Sequence, residues 1–421
     1  MQNTKKYIIF AQSTNIIKSE SMKNNILQFV SCFVILTLAS ACSQDLLDQP
    51  ASPDNLLSKN SHKVTLEEAL ERSKVFRNGL NEGLETRSMQ ISDIESVNYL
   101  SSGIKTRGQD TDTIFYLVNY KNEQGFMLLS ADERTIPVYA MADEGKLDLN
   151  DTTFNEGLRA FYNLAKNDAL SVRIPTDTIT FGGGIDIDPF DYTYDRTVKP
   201  MFSKNLRSIG QGEPFNTYCK HADGTPALVG CLPVAVGSVL AYYHRPVIYK
   251  GRFMPWSNID VDIKNDMFYM LLDSICDEDL LNAERKPGST SAKMNRVAST
   301  LKHFGVLYSE LQDFNDFRAA EALENAPIII YGKSPESAHA WIIDGYIRYG
   351  ILHNSLAGPE PGRQTPYFFF HCCWGWSGKS NGYFYYSSTG HIDGAANSYD
   401  SDDLGYSGHQ SYYNMKMNIK L

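Results

Sequence analysis

The chain has 421 residues, and its 39 basic and 49 acidic side chains give a formal net charge of −10. With 42% hydrophobic residues it has the composition of a globular protein of two or three domains, which excludes collagen-like and low-complexity chains. The acidic balance, without any run of lysine or arginine, argues against a nucleic-acid partner, because phosphates select a basic face.

An apolar segment at residues 26–41 lies near the N-terminus and leads into Leu38-Ala-Ser-Ala-Cys42. The segment is too short for a comfortable membrane span. A basic start at Met22-Lys23, an apolar middle and small residues before a cysteine are typical of a bacterial lipoprotein signal. We therefore expect residues 1–42 to be a signal, with Met22 as the true start and lipid attached to Cys42. An ordinary secretory signal is the alternative.

The lipid on Cys42 is expected to be the only membrane attachment, because no other stretch reaches the roughly 18 apolar residues of a span. The polar residues 43–62 are then predicted to form a tether. We accordingly predict an exported protein that is lipid-anchored to a bacterial membrane, with the cell surface as one destination.

Five cysteines remain beyond the two in the signal region. In an exported protein an odd number leaves at least one free thiol, which is either buried or functional. The spacing of these cysteines matches no tetrahedral zinc pattern, so we expect neither a metal nor another cofactor. The five are Cys219, Cys231, Cys276, Cys372 and Cys373.

The charge divides the rest of the chain into two parts. Residues 43–196 hold 15 basic and 26 acidic groups, whereas residues 197–421 hold 20 and 22. Between them lie three consecutive glycines from Gly182 and an acidic stretch, which together are typical of an exposed linker open to proteolysis. We expect a first unit at residues 63–196, with the linker near residues 182–196, and a second unit at residues 197–421.

The first unit begins with Thr65-Leu-Glu-Glu68, a capping box that predicts a helix start. Apolar residues continue at helical spacing, and three later apolar runs predict an antiparallel sheet before a second helix. No nucleophile, base and anion hole occur together here, so the unit is predicted to be structural or inhibitory. The predicted elements are a helix over 66–76, strands over 114–118, 126–129 and 137–140, and a helix over 154–164.

The second unit is predicted to place helices first and antiparallel strands later, which is the α+β order. Residues 232–243 are apolar nearly all round and predict a buried helix, with Cys231 at its start. Pro233 is tolerated there because the first helical turn has no internal donor to lose. The later predicted elements are a helix over 294–304 and strands over 328–330, 339–343, 367–373 and 382–386.

Cys231 stands where unpaired N–H groups and the helix dipole favour a thiolate, which is the nucleophilic form. A buried core cysteine is the alternative, since free cysteines are among the most buried residues. His339 opens an apolar strand, and an imidazole bonded to the thiol could form a thiolate–imidazolium pair. The joint presence of the two residues favours catalysis.

Several segments in order resemble the streptopain-type cysteine peptidases, bacterial relatives of the papain-like fold. The resemblance spans both predicted units. It rests on Gly210–Asn216, Gly230-Cys231, His339–Tyr346 and Trp374–Gly378, and upstream on Phe126–Arg134, which resembles the propeptide of the family. The resemblance implies a papain-like peptidase domain, with a helical part and an antiparallel sheet, preceded by an α+β propeptide.

The resemblance also implies roles for individual residues. Cys231 would be the nucleophile, His339 the general base and then acid, and Gln211 the side-chain donor to the oxyanion. Trp374 would line the site and shield the histidine. The implied partners are protein or peptide substrates and the chain's own propeptide. From the charge division and the exposed linker we further expect the propeptide to cover the cleft until an activating protease cuts the linker.

One residue departs from the family pattern, because Cys373 stands where the family has an asparagine that holds the imidazole. A thiol is a poor hydrogen-bond partner. Strand alternation is expected to place His371 and Cys373 on one face and Cys372 on the other. The chain could be a weaker enzyme, an enzyme whose histidine is oriented by Trp374 and backbone groups, or a catalytically silent relative. We favour the second outcome.

Two other functions fit the same residues. A silent relative would be a surface-anchored binding protein that captures peptides or proteins without cleaving them. Acyl transfer to an amine instead of water is a third option. A vicinal or intermolecular disulfide at Cys372 and Cys373 would be a redox response.

Overall fold

The described structure contains fifteen β-strands, and all of them pair antiparallel. Eleven of them form one sheet, and four form two short hairpins. In chain order the strands are β1 Ile94–Ser101, β2 Thr113–Tyr120, β3 Phe126–Ser130, β4 Val138–Ala142, β5 Tyr192–Val198, β6 Ile248–Tyr249, β7 Arg252–Phe253, β8 Glu284–Lys286, β9 Ser289–Ser291, β10 Gln312–Asp313, β11 Ile328–Lys333, β12 Ala338–Leu352, β13 Gln364–Cys373, β14 Gly382–Tyr385 and β15 Lys416–Asn418. The order across the sheet is β1-β2-β3-β4-β14-β13-β12-β11-β15-β10, and β5 pairs with the second half of β12.

Helices cover both faces of this sheet. In chain order the α-helices are α1 Leu66–Arg72, α2 Lys74–Leu84, α3 Glu156–Ser171, α4 Lys204–Arg207, α5 Cys231–Tyr242, α6 Trp256–Val261, α7 Asp266–Ile275, α8 Val297–His303 and α9 Asp316–Ala322. One buried hydrophobic cluster lies on the face of the sheet that α2 and α3 cover, and a second lies between α5 and the opposite face of the sheet.

The computed structural model describes residues 62–85, 89–101, 113–149, 156–173, 192–333, 338–352, 364–386 and 415–421. All of these belong to one compact unit, His62–Leu421. Cys42, the predicted signal, the tether up to Ser61 and the glycines from Gly182 lie outside the described residues. None of the described helices is both long enough and apolar enough to cross a membrane.

The N-terminal helix begins as predicted but breaks early. Thr65 and Glu68 form the capping box: the Thr65 backbone N–H donates to the Glu68 carboxylate (2.7 Å), and the Glu68 N–H donates to the Thr65 hydroxyl (3.3 Å). The single helix expected over 66–76 is instead two helices that meet at Ser73. The Ser73 hydroxyl donates to the Leu70 carbonyl (2.8 Å), a local bond of the kind that competes with continued helix.

The strands predicted in the first unit are present as β2, β3 and β4, and the second helix is present as α3. These three strands are buried along their whole length, which is why their apolar runs were readable from sequence. The sequence did not indicate β1. It is an edge strand whose side chains are mostly exposed and follow no alternation of burial.

The first and second predicted units share the sheet. Strand β4 pairs with β14 through Met141 opposite Tyr383 and Ala140 opposite Phe384. The division at residues 63–196 and 197–421 is therefore not a break in the hydrogen-bonded sheet, and it stays a prediction.

The predicted linker was expected to be exposed, but its last residues form strand β5. Tyr192 is buried and its ring lies 5.1 Å from that of Phe76. Asp195 and Arg196, which made the segment look solvated, pair with Arg348 (2.5 Å) and Glu324 (2.5 Å). Because its charged side chains are ion-paired and tyrosines occupy every second position at its start, this segment can form a strand of the sheet.

The buried helix predicted over 232–243 is α5, and every residue from Leu232 to Ala241 is buried. It packs against β12, where Ala340 and Ile342 belong to the same hydrophobic cluster. The helix predicted over 294–304 is α8 with a preceding 3₁₀ turn, and the four predicted strands are β11 to β14. The α+β prediction is confirmed.

Candidate active site

Helix α5 begins at Cys231, directly after a position whose backbone conformation favours glycine. Gly230 has φ of 99°, and a Cβ there would lie 3.0 Å from the Thr290 side chain. Its carbonyl accepts from the Val234 N–H (3.1 Å), which closes the first helical turn. Pro233 lies inside that turn, as expected. This glycine therefore fixes Cys231 at the first helical position.

The Cys231 thiol is protonated in this form of the protein. Burial raises its pKa to about 11, and the nearby Glu156 carboxylate acts in the same direction. Backbone N–H groups, first that of Ala340, oppose this effect but do not overcome it. The helix start was expected to favour a thiolate; here the surrounding packing outweighs the helix.

His339 lies at the start of β12 and is buried. Its Nε2 lies 3.0 Å from the Trp374 carbonyl oxygen, and since a carbonyl only accepts, Nε2 carries the proton. Burial lowers the pKa of His339 to about 4, against the effect of this carbonyl. The imidazole is neutral near pH 7.

The structure does not bring Cys231 and His339 together. His339 shares a face of β12 with Trp341, whose ring is stacked 6.1 Å away. Ala340, between them in sequence, faces the opposite way toward α5 and Cys231. No hydrogen bond joins the Cys231 thiol to the His339 ring within the described residues.

Residues of the propeptide-like part, on α3, affect both candidate residues, one by packing and the other electrostatically. Gly157 packs on His339 and Trp374 so closely that a Cβ would lie 2.4 Å from His339 Cδ2 and 2.6 Å from Trp374 Cε3. The preceding residue, Glu156, acts electrostatically on Cys231. This contact could not be predicted from the sequence, because a single glycine in a helix forms no recognisable pattern.

Gln211 is buried in a loop that is tied to two other parts of the site. Its carbonyl accepts from the Val229 N–H (2.9 Å), two residues before Cys231. Gly210 forms a bridge with Trp376, and the Ser377 N–H donates to the Ile209 carbonyl (3.1 Å). The loop thus joins the start of α5 to the turn that follows β13.

Trp374 is completely buried, and its position is set by Asn381, which belongs to the segment Asn381–Phe384 that also resembles the family but for which no role was predicted. Its backbone N–H donates to the Asn381 side-chain oxygen (3.1 Å), and its indole N–H donates to the Ser380 carbonyl (3.1 Å). The Asn381 amide in turn donates to the Arg207 carbonyl (3.2 Å). Asn381 therefore holds the carbonyl-bearing residue that His339 contacts.

Cys373 points to the face expected from alternation but does not reach His339. Its thiol lies 3.7 Å from Asp344 Oδ1 and 3.9 Å from His371 Nδ1. It also lines a small pocket that Cys231 lines. Cys372 belongs to the hydrophobic cluster on the other side of the sheet, so the predicted opposition of the two cysteines is confirmed.

Two family models match the chain. The Peptidase C10 family matches residues 209–312 and 307–384, which include α5 and strands β11 to β14. The Spi protease inhibitor model matches residues 61–169, which include α1 to α3 and β1 to β4. The chain is similar to the streptopain-type cysteine peptidases in both its peptidase part and its inhibitor part. These matches support a cysteine-type peptidase with an inhibitory propeptide, and the fold is α+β.

Two curated proteins are similar to the chain. The chain is 24% identical over 320 residues to the thiol protease/hemagglutinin PrtT of Porphyromonas gingivalis, a match that covers 65% of this chain but only 34% of that protein. It is 23% identical over 310 residues to streptopain of Streptococcus pyogenes, covering 62% of this chain and 71% of that one.

Two solved structures from Prevotella intermedia also align with the peptidase. A prointerpain A fragment aligns with a TM-score of 0.48 and 17% identity, covering 77% of this chain and 98% of that one. Active interpain A aligns with a TM-score of 0.34 and 19% identity, covering 55% and 96%.

Proposed function

We propose that the chain is an exported zymogen in which residues 63–196 hold the side chains of Cys231 and His339 apart. This separation lasts until residues 63–196 are removed by proteolysis. Residues 197–421 then form an endopeptidase that hydrolyses peptide bonds of proteins. The observation that carries this proposal is the packing of Gly157 directly on His339 and Trp374. A residue of the inhibitor-like part thus occupies space beside the candidate base.

The protonation states support latency. With a pKa of about 11, the Cys231 thiol is neutral, and with a pKa of about 4 the His339 imidazole is neutral too. A thiolate is the attacking species in cysteine peptidases. The covered site therefore lacks its nucleophile as well as the contact between nucleophile and base.

Removal of α3 takes away both the packing on His339 and the negative charge of Glu156. His339 is then free to move toward the start of α5, where its Nδ1 or Nε2 can accept the Cys231 proton. The resulting thiolate and imidazolium stabilise each other, which lowers the thiol pKa and raises the imidazole pKa.

In the open enzyme the Cys231 thiolate attacks the scissile carbonyl carbon and forms a C–S bond, which moves an electron pair onto the carbonyl oxygen. The Gln211 amide and the Cys231 N–H stabilise this oxyanion. The C–N bond breaks as the imidazolium of His339 gives its proton to the leaving amine. Water, deprotonated by the neutral imidazole, then cleaves the thioester.

Active-site titration before and after processing tests the zymogen. The full-length protein should bind almost no irreversible thiol inhibitor, and the protein freed of residues 63–196 should bind one equivalent. A Cys231→Ala variant, processed in the same way, should bind none. Equal inhibitor binding in the unprocessed and processed wild type contradicts the proposal.

A surface binding protein is the second candidate, because Cys373 stands at the asparagine position of the family. The same titration separates the two functions: a processed, reduced protein that binds peptides but takes up no inhibitor at Cys231 is a binder.

Export with lipid on Cys42 is also part of the proposal, and it rests on the sequence. Mass spectrometry of protein from the membrane fraction should show a mature N-terminus at Cys42 that carries a diacylglyceryl group. A Cys42→Ser variant should lose this mass and leave the membrane fraction.

A further inference from the structure

Three buried side chains from β12 and β13 place metal-ligand atoms around one point. His371 Nδ1 lies 2.5 Å from Asp344 Oδ1, and the Cys373 sulfur lies 3.7 Å from that oxygen and 3.9 Å from that nitrogen. Asp344 is fully buried, and His371 and Cys373 expose 2% and 6% of their surface. The three atoms lie within 4.8 Å of one another.

These separations are close to those of a tetrahedral zinc site. Bonds of about 2.3 Å to sulfur and about 2.0 Å to nitrogen or oxygen put sulfur roughly 3.5 Å from each of the other ligands. The two sulfur distances exceed this by only a few tenths of an ångström. The nitrogen and oxygen are now hydrogen-bonded and need to separate by less than about 1 Å.

The ligand atoms are held in place by their surroundings. The Phe202 backbone N–H donates to Asp344 Oδ2 (2.9 Å), which leaves Oδ1 directed at His371 and Cys373. The Met201 N–H donates to the Asp344 carbonyl (2.9 Å). The His371 ring packs against Tyr383 with ring centres 5.0 Å apart. Such outer contacts orient ligands in metal sites.

The positive charge close to the cluster is compensated by a carboxylate, so it does not oppose the binding of a cation. Arg207 is the nearby positive group, since it lines the same pocket as Cys373, and it is paired with Glu144 (3.2 Å). Glu144 also pairs with Lys204 (2.8 Å). The arginine charge is thus balanced by a carboxylate outside the cluster.

We propose that Asp344, His371 and Cys373 bind a thiophilic divalent cation of the Zn²⁺ type. A thiolate, an imidazole and a carboxylate are the ligand set that zinc prefers, and three protein ligands leave the fourth position open. Binding releases the thiol proton of Cys373, and His371 binds through Nδ1 with its proton on Nε2. The ion takes the place of the hydrogen bond between His371 and Asp344.

The open fourth position lies on the side of the pocket, because Cys373 and Cys231 both line it. A water molecule or the Cys231 sulfur completes the shell there. The cysteine at the asparagine position of the family therefore gives this chain a soft ligand beside its candidate nucleophile.

Cobalt titration of the reduced, metal-free full-length protein tests the site, because thiolate-bound Co²⁺ has charge-transfer absorption in the near ultraviolet. We expect one equivalent of Co²⁺ to bind with this band and with visible bands of tetrahedral geometry, and Zn²⁺ to displace it. Cys373→Ser should lose the charge-transfer band, and Cys372→Ser, the adjacent buried thiol on the other face, should keep it.

Cys231→Ala separates this site from the candidate nucleophile. It should retain the charge-transfer band, at most with a shifted position. Loss of the band in Cys231→Ala, or its persistence in Cys373→Ser, overturns the proposal. His371→Gln is the second variant: a circular dichroism spectrum like that of wild type, with at least tenfold weaker Co²⁺ binding, supports the site, and unchanged binding in that folded variant contradicts it.

Discussion

Two cysteine–histidine pairs lie on or beside the strands β12 and β13, and they differ in how they are held. Cys373 and His371 are two residues apart on one strand, and their side chains are in contact. Cys231 and His339 come from different elements, and the strand itself lies between their side chains. A pair within one strand is fixed by the sheet, whereas a pair assembled from two elements can be controlled by a third.

That third element is α3, which reaches both members of the separated pair. We therefore expect the separated pair to be the one that can be switched. Four experiments test this difference, beginning with the largest expected effect.

Replacing the nucleophile gives the largest effect. Cys231→Ala in the processed protein should lower kcat/KM on a fluorogenic peptide by about a millionfold, because no acyl-enzyme can form. Cys372→Ala is the matched control and should keep activity within a few-fold of wild type. If Cys231→Ala keeps measurable turnover while Cys373→Ala loses it, the roles of the two pairs are reversed.

Removing the oxyanion donor gives the next effect. Gln211→Ala in the processed protein should lower kcat by about 10²- to 10³-fold with little change in KM, because the donor acts on charge that develops in the transition state. Gln312→Ala, a partly buried glutamine away from the site, is the control. A rise in KM at unchanged kcat would show that Gln211 only binds substrate.

Filling the contact at α3 should loosen the inhibitor. A Cβ at position 157 overlaps His339 and Trp374, and overpacking of this kind costs about 1–3 kcal/mol, which corresponds to roughly 5- to 150-fold more open zymogen. Gly157→Ala should therefore raise the rate of thiol-inhibitor labelling of the full-length protein by that factor. Arg159→Ala, exposed on the same helix, should not change the rate.

Acid should destabilise the folded, covered state. The pKa of His339 is about 4 in the folded protein and about 6.5 in the unfolded chain, so the unfolded state binds more protons between these pH values. Stability is fully present above pH 6.5 and falls by at most about 1.4 kcal/mol per pH unit toward pH 4.

The urea midpoint of full-length Cys231→Ala protein, which cannot process itself, measures this loss. The midpoint should be lower at pH 5 than at pH 7, and the difference should shrink when His339→Gln is added. Since the other titrating groups are common to both proteins, an unchanged difference would exclude His339 as the source.

Much of the fold was predictable from sequence where burial is complete. Strands β2 to β4 and helix α5 are buried along nearly their whole length, so their apolar runs could be recognised. Edge strand β1 could not be recognised, because its side chains are mostly exposed. Strand β5 could not be recognised either, because its partner β12 lies far away in sequence and its charged side chains are ion-paired.

The candidate site was predictable only as a set of residues. Segments around Cys231, His339, Gln211 and Trp374 could be recognised, but the separation of the first two depends on which face of β12 each approaches. The metal-ligand cluster has a specific cause. Asp344 lies on β12, 27 residues before His371 on the neighbouring strand β13, so a search for short cysteine spacings could not find it.

The pairing of β4 with β14 has a consequence for maturation. Strand β4 of the inhibitor-like part is paired with β14 at Tyr383 and Phe384. A single cut in the chain between the two parts is therefore not expected to release the inhibitor-like part. Once the inhibitor-like part is digested, β14 stays paired with β13 but becomes an exposed edge strand that carries two aromatic side chains. An exposed edge strand can pair with an extended segment of another chain, so the mature enzyme should aggregate unless this edge is covered.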